Sequence, residues 1–274
     1  MDRIPVTFTG VRVTALLELY LRWLDSKDPH PLLGDRWAGD VVERLDFDFS
    51  QFRSLAIGRF AVGLRSAVMD RRATGYLAEH PDAIVLDLGS GFDSRVFRVD
   101  PAPPHEWYDV DLPDVVEIAD RLYPARPGHR RVGVSVLDPG WLAAIPGDRP
   151  AMVVADGFFG FFAPDEARQI IRSIVDHFPT GEIILNITST ASKRQRERRP
   201  VPLFTRFGIV EKWWIDDPRE VEAFDERLRY VGDDNLLDPR LLRRSPWSYR
   251  LLSAAVRAVP AWRGQHGGIL RYRF

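Results

Sequence analysis

Apolar and polar positions follow two different periods along this chain, and the change of period divides it. From Val11 to Leu24, the residues Val13, Leu16, Leu17, Tyr20, Leu21 and Leu24 recur at helical spacing, the pattern of an amphipathic helix. Asp28-Pro29-His30-Pro31 ends that helix, because proline cannot continue one. Arg36 to Leu45 reads as a short second helix. Phe52 to Glu79 reads as a longer one, with Leu55, Phe60, Leu64, Val68 and Leu77 as its apolar stripe, interrupted by Gly58, Gly63 and Gly75.

At Ala83 the helical period stops. Ala83 to Leu88 is a short apolar run that opens directly into Gly89-Ser90-Gly91, as a buried parallel strand does when it meets a tight loop. Glu106 to Val110, Arg131 to Leu137, Ala151 to Ala155 and Glu182 to Ile187 read as further strands. Between them, Asp114 to Leu122 and Pro164 to Phe178 read as helices. The second has Pro164, Asp165 and Glu166 in its first turn and Pro179-Thr180-Gly181 as its stop. Alternating strands and helices predict an α/β fold with a doubly wound, mostly parallel sheet.

Beyond Thr188 the pattern weakens. Lys193 to Arg199 reads as a loop or an exposed helix end. Pro218 to Leu228 reads as a helix, Leu228 to Gly232 as a strand, and Trp247 to Val259 as a helix stopped by Pro260. Ile269 to Phe274 alternates in strand fashion. The expected organisation is a helical cap over 1–80 and a sheet-based core over 81–274, with 188–214 inserted after the fifth strand as a lid.

Composition narrows the chemistry. The chain has 274 residues, 45% of them hydrophobic and 28% charged, as expected of an ordered globular protein. Its formal net charge of −1 gives no general attraction to nucleic acid or anionic membrane. It has no cysteine, so disulfides, thiolate metal sites and cysteine nucleophiles are excluded. No apolar run approaches the roughly 20 residues of a membrane span. Met1 to Gly10 lacks the charged-then-apolar pattern of a signal peptide, so a cytoplasmic protein is expected.

The segment Val85-Leu86-Asp87-Leu88-Gly89-Ser90-Gly91-Phe92-Asp93-Ser94-Arg95 carries the first chemical signal. Glycines after a buried strand let backbone approach a ligand closely. On spacing alone the loop is either such a cradle or a sharp strand-to-helix turn. The dinucleotide fingerprint G-x-G-x-x-G fails, because Ser94 occupies the third glycine position. No G-x-x-x-x-G-K-[ST] phosphate loop is present. Asp111 follows the loop by about 20 residues, the offset at which a carboxylate accepts ribose hydroxyls. Asp109 stands two positions earlier, and only one of the two can sit at the strand's tip. One or both can instead be surface acids or a helix cap before Pro113, a reading that weighs more for Asp109 than for Asp111.

These residues resemble the leucine carboxyl methyltransferase family, and within it the bacterial polyketide O-methyltransferase branch. The resemblance rests on Leu86 to Arg95, followed by Trp107-Tyr108-Asp109-Val110-Asp111-Leu112-Pro113. It extends to Arg65-Ser66-Ala67-Val68-Met69-Asp70, to Ala155 through Phe162, to Trp213-Trp214-Ile215-Asp216-Asp217-Pro218, and to the ending Leu270-Arg271-Tyr272-Arg273-Phe274. It implies a class I methyltransferase fold, a Rossmann-like doubly wound sheet that binds S-adenosyl-L-methionine. Arg65 would meet the cofactor's carboxylate and Asp156 its amino group. Gly89, Ser90 and Gly91 would lie against its methionine part, Asp111 would bind its ribose, and Leu137 with Asp138 would bracket its adenine. Asp93 and Arg95 would brace the loop. Ser90, Gly160, Phe161 and Trp214 depart from the branch's usual residues, and the last three bear on the acceptor pocket.

The implied activity is O-methylation of a carboxyl or hydroxyl group on a small, polyketide-like metabolite. A carboxylate acceptor needs no general base, whereas a phenol benefits from one. The histidines His30, His80, His105, His129, His177 and His266 share no motif and lack metal-ligand spacing; no catalytic residue and no metal is assigned. The acceptor site is expected between the N-terminal helices and 188–214, where Phe204, Phe207, Trp213 and Trp214 accompany Lys193, Arg194, Arg196, Arg198, Arg199 and Arg206. Such a set could enclose an acidic aromatic ligand. It could equally be an exposed loop with core aromatics behind it. Methylation of a protein C-terminus, and cofactor binding without methyl transfer, remain as alternatives.

Overall fold

A computed structural model describes residues 3–234, 236, 241–244, 247–258 and 268–274. The chain opens with β1 (Ile4–Pro5), a 3-10 turn at Gly10–Arg12 and α1 (Val13–Ser26). After α1, the Asp25 carboxylate accepts the backbone N–H groups of Leu32, Leu33 and Gly34 at 2.9–3.1 Å, which fixes the proline-rich turn. α2 (Ala38–Arg44) leads into β2 (Leu45–Asp46), paired in parallel with β1.

The helix expected from Phe52 differs at its start. Phe49–Gly58 is 3-10 helical, and α3 begins beyond it (Arg59–Glu79). The spacing of Phe49, Phe52 and Leu55 explains this. Residues three apart eclipse in a 3-10 helix, and these three pack together with Phe47 and Tyr20. Gly63 does not break α3. A Cβ there would stand 3.0 Å from the Asp25 carboxylate, so glycine is what lets α1 and α3 approach.

The core continues as β3 (Ile84–Leu88), α4 (Arg95–Val99), β4 (Glu106–Asp111), α5 (Pro113–Leu122), β5 (His129–Gly133), β6 (Ala151–Ala155), α6 (Pro164–His177) and β7 (Gly181–Asn186). It then runs through α7 (Thr190–Arg198), α8 (Pro202–Phe207), a 3-10 turn at Pro218–Phe224, β8 (Arg229–Asp234), α9 (Trp247–Ala258) and β9 (Ile269–Arg273). Among the described residues, seven strands form one sheet in the order β5-β4-β3-β6-β7-β9-β8. The first five are mutually parallel, and β9 runs antiparallel to both β7 and β8. This is the expected α/β class. Val259 and Pro260, read as the end of the last helix, and His266 lie outside the described residues.

Strand alternation assigns the two faces of the sheet. Ile84, Leu86 and Leu88 of β3 point toward α6, where Ile170, Ile171 and Ile174 are fully buried. Val85 points to the other face, against Val68, Met69 and Leu77 of α3. Asp87 alternates with Val85 and shares that second face.

Three boundaries move. β5 starts two residues earlier than expected and stops at Gly133, leaving Val134 to Leu137 in loop and turn. Gly133 passes so close to Pro113 that a Cβ would meet its Cα at 3.1 Å, and the chain turns away there. Of the two readings of the polar stretch from Lys193, the exposed helix end is the one found: it belongs to α7, capped by Ser189. The helix expected over Pro218 to Leu228 is only the short 3-10 turn, after which β8 begins one residue later than expected.

Candidate active site

A cavity of about 400 Å³ opens at the C-terminal ends of β3, β4, β6 and β7. In an open α/β sheet this is where strand order reverses and ligands bind. Its walls include Arg65, Gly89, Ser90, Gly91, Asp111, Leu137 and Asp156. The structure therefore brings all but one of the expected site residues together. Asp138 is the exception. It is exposed on the turn after β5, where its N–H donates to Ser135 and its carbonyl accepts from Trp141, and it does not line the cavity. Because β5 stops early, the wall on that side is Val134, Ser135, Val136 and Leu137 instead.

The glycine loop forms the floor. Gly89 and Gly91 have φ of 63° and 54°, where L side chains are strained. A Cβ on Gly89 would stand 2.5 Å from the Phe158 ring, and one on Gly91 would stand 2.9 Å from Cβ of Ala15. Close approach of α1 and of the loop after β6 thus requires both glycines. The Gly91 N–H donates to Asp111 Oδ2 at 2.7 Å, and the Leu112 N–H donates to Oδ1 at 2.7 Å. Burial pushes the Asp111 carboxyl up to about 6, against the pull of these two N–H groups. Asp111 is the residue at the strand's tip. Asp109 lies inside, bonded to Trp107 Nε1 at 2.9 Å and to His129 Nε2 at 2.7 Å.

Behind the floor lies a network of buried charge. Arg95, 1% exposed, donates twice to Asp87 at 2.8 and 3.0 Å, to Asp70 at 2.9 Å and to Asp156 at 2.7 Å. Arg98 bonds Asp70 and Asp93, each at 2.6 Å. Arg22 donates to the Phe92 carbonyl at 2.9 Å and sits 3.4 Å from the fully buried Asp35. Asp35 in turn accepts from Ser94 Oγ at 2.6 Å. Asp93 and Arg95 are thus where a brace for the loop would stand. Burial raises the Asp87 carboxyl against the attraction of Arg95, while Arg22, Arg98 and Arg95 overcome burial and hold Asp93 well below the usual range. Arg65 joins the network through Glu18, at 2.9 Å, and through an ion pair with Asp156.

The far side of the cavity is aromatic and ionic. Phe158, Phe161, Phe162 and Phe204 line it with Thr188, Arg196, Glu211, Lys212 and Glu166. Arg196 pairs with Glu211, and Lys212 Nζ lies 3.4 Å from Glu166 Oε2. Of the aromatics expected here, only Phe204 reaches the cavity. Trp213 is core, packed on Phe159 and Phe224; Phe207 packs on the N-terminal cluster; Trp214 lies under the Lys193 ammonium at 4.4 Å. Among the expected cations only Arg196 lines the cavity.

Glu18, Arg22, Glu166, Asn186, Glu211 and Lys212 also line the cavity, and nothing in the sequence marks them as site residues; Glu166 reads there only as a first-turn acid of α6. The first two sit on α1 among apolar neighbours, in a pattern that sequence alone assigns to a solvated stripe. Asn186, at the end of β7, accepts the Gly157 N–H at 2.6 Å and holds the loop after β6. Among the described residues no histidine lines the cavity. His105 and His177 donate to backbone carbonyls elsewhere, and His129 serves Asp109. Among the described residues no group of three or more His, Asp or Glu is arranged to hold a metal ion.

Comparison with known proteins agrees with this geometry. The family model for leucine carboxyl methyltransferase matches residues 15–175. The chain is 36% identical over 269 residues to the tetracenomycin polyketide synthesis O-methyltransferase TcmP of Streptomyces glaucescens, covering 98% of each chain. It is 28% identical to the S-adenosyl-L-methionine-dependent methyltransferase dpfgK of Gibberella zeae, over 84% of each. The crystal structure of a DUF574 family protein from Streptomyces avermitilis superposes with a TM-score of 0.59 at 18% identity, over 97% of each chain, and shares the fold.

Proposed function

The chain belongs to the leucine carboxyl methyltransferase family, and from that premise we propose that it methylates a carboxyl group on a small, acidic aromatic acceptor of polyketide type. It is an S-adenosylmethionine-dependent O-methyltransferase with a class I methyltransferase fold. S-adenosylmethionine, when bound, supplies a sulfonium methyl that an acceptor oxygen attacks in line while the C–S pair leaves with sulfur.

The cavity fits that cofactor. Gly89 and Gly91 leave a floor that no side chain could share. Each Asp111 oxygen accepts one backbone N–H and keeps a lone pair for a ribose hydroxyl. Arg65 spends its Nε and one terminal nitrogen on Asp156 and Glu18, and its remaining terminal nitrogen suits a ligand carboxylate. Asp156 and Glu18 then offset an ammonium. Ser90 lines the methionine side, and Leu137 with Val136 walls the adenine. Asp138 is not assigned a role.

One observation carries the choice of carboxyl over hydroxyl. Among the described residues lining the cavity no histidine is present, and the carboxylates are held by arginine, lysine or backbone N–H groups. None is poised to take a phenol proton. An acceptor that arrives ionised needs only alignment and desolvation. The proposal takes 1–80 as the cap, 81–274 as the cofactor-binding core and 188–214 as a lid over the acceptor. It also takes the cytoplasm as the setting; no described helix is long and apolar enough to cross a membrane.

The test is calorimetric titration with S-adenosylmethionine, followed by transfer of labelled methyl to a panel of aromatic carboxylic acids and phenols. The expected product is a methyl ester, which mild alkali hydrolyses. An alkali-stable ether would overturn the carboxyl assignment. Binding without turnover on the whole panel would favour a protein that no longer transfers methyl. No cofactor binding would remove the site itself.

A further inference from the structure

The cations around the cavity are not equivalent. Arg95 and Arg22 are locked in the buried network, and Arg65 is shared between two carboxylates. Arg12 is 2.7 Å from Asp114, and Arg196 is in tight contact with Glu211. Lys212 differs. Its ammonium stands 3.4 Å from Glu166 Oε2, and that oxygen already accepts the Ala163 N–H at 2.6 Å as part of the start of α6. Its side chain is 48% exposed. It has charge at the cavity wall, and its carboxylate partner Glu166 stands at the long end of hydrogen-bond range.

Its backbone is nonetheless fixed. The Lys212 N–H donates to the Gly160 carbonyl at 2.8 Å, and Trp213 anchors the next position in the core. Gly160 belongs to the short turn that presents Phe158, Phe161 and Phe162 to the cavity, and a Cβ on Gly160 would meet nothing within 4 Å. The contacts therefore run without a gap from Gly89 through Phe158 and Phe162 to Gly160 and Lys212. A flat ring can lie along the phenylalanines, with open space at Gly160 and a cation at its end.

We infer that Lys212 is the specificity-determining residue that captures an anionic group of the acceptor, and that its ligand class is an aromatic carboxylate lying in the Phe158–Phe162 slot. This rests on the proposed acceptor side of the cavity. Lysine suits the task because its ammonium is a compact charge on a flexible stem that adjusts to ligands of different length. A merely structural lysine would instead contribute an exposed ion pair with Glu166, indifferent to what enters the cavity.

The experiment uses the full chain saturated with S-adenosylhomocysteine. Calorimetry measures 2-naphthoate against the uncharged isostere 2-naphthamide, for the wild type and for Lys212→Met, Lys212→Arg and Glu166→Gln. The expected wild-type preference for naphthoate is about tenfold, the worth of one charge-assisted contact at a half-exposed site. Lys212→Met should erase the preference and leave naphthamide binding and S-adenosylhomocysteine affinity unchanged. Lys212→Arg should retain it. Glu166→Gln, which removes the competing charge, should strengthen naphthoate binding. A preference that survives in Lys212→Met overturns the inference, and so does a wild type that binds both probes equally or neither. Failure of the cofactor site itself would appear separately, as loss of S-adenosylhomocysteine binding before any naphthoate is added.

Discussion

The two ends of the cavity use the same chemistry in opposite ways. At the floor, Arg95 and Asp87 are each 1% exposed and every donor of the fork has a carboxylate. At the far wall, Arg196 and Lys212 are 35% and 48% exposed, each with one carboxylate partner. Burial makes the first set costly to assemble and costlier to break, so it fixes a single geometry for the loop. Exposure makes the second set cheap to rearrange. The end that would hold an invariant cofactor is rigid, and the end that would meet a variable acceptor is adjustable.

The largest expected effect tests that contrast directly. Arg95→Met leaves Asp87, Asp70 and Asp156 short of a partner, and breaking such a buried set costs about 3–5 kcal/mol. Lys212→Met breaks an exposed pair worth under about 1 kcal/mol. Urea unfolding of both variants gives the comparison, and equal losses would break it. Gly89→Ala should come next. A left-handed alanine costs about 1–2 kcal/mol, and the Phe158 ring at 2.5 Å must also move. The same titration should show weakened S-adenosylmethionine binding, since the floor itself shifts. Unchanged affinity would mean that the glycine serves only the turn.

A pH series sharpens the picture of the floor. The Asp111 carboxyl is raised from 3.8 to about 6 by burial. Between those values the folded protein holds a proton that the unfolded chain has released. This group therefore favours folding below about pH 4, and that support is lost as pH rises through 6. Cofactor binding should follow the opposite course, because ribose hydroxyls donate to the ionised form. Affinity should rise by up to about tenfold for each unit from pH 4 to 6 and then level off. Calorimetry at pH 5 and 7.5 reads this, with Asp111→Asn as the reference that should show no slope. A slope retained in that variant would assign it to another group.

The floor was also the more legible end in the sequence. Ala151 to Ala155 is a continuous apolar run, and Ala83 to Leu88 and Glu182 to Ile187 are apolar except at Asp87, Glu182 and Asn186; buried parallel strands favour that pattern. The positions of Gly89, Gly91 and Asp111 follow from where such strands stop. Asp138 stands away from the cavity because the run from Arg131 has the pattern of a strand to its end, whereas the chain leaves the sheet at Gly133 and turns Asp138 outward. Glu18, Arg22 and Asp35 were illegible for another reason. A buried charge looks like a solvated one until its partner is known, and Ser94, the nearest partner of Asp35, is far away in the chain. Lys212 and Glu166 meet across 46 positions with no motif at either end. The segment 188–214 carries no clear periodic signal, so its aromatics and cations read equally as a pocket wall or as an exposed loop.

The smallest expected effect lies at Gly160, the counterpart of Gly89 at the far wall. Both glycines line the cavity, but only Gly89 has a left-handed φ and a neighbour where Cβ would go. At Gly160 the space is open and the backbone is in an ordinary 3-10 turn. Alanine there restricts the unfolded chain without straining the folded one, so Gly160→Ala should stabilise by about 0.5 kcal/mol. The added methyl also enters the proposed ring slot. Affinity for S-adenosylmethionine should stay unchanged, while fused polycyclic acids should lose a few-fold more affinity than a single-ring benzoate, in line with roughly a methyl's worth of lost space. Thermal unfolding and the two-acid comparison read these separately. Stabilisation with no change in acid selectivity would make Gly160 a simple turn residue and move the slot elsewhere along the wall. Loss of cofactor affinity would join the two ends into one coupled site and remove the contrast between them.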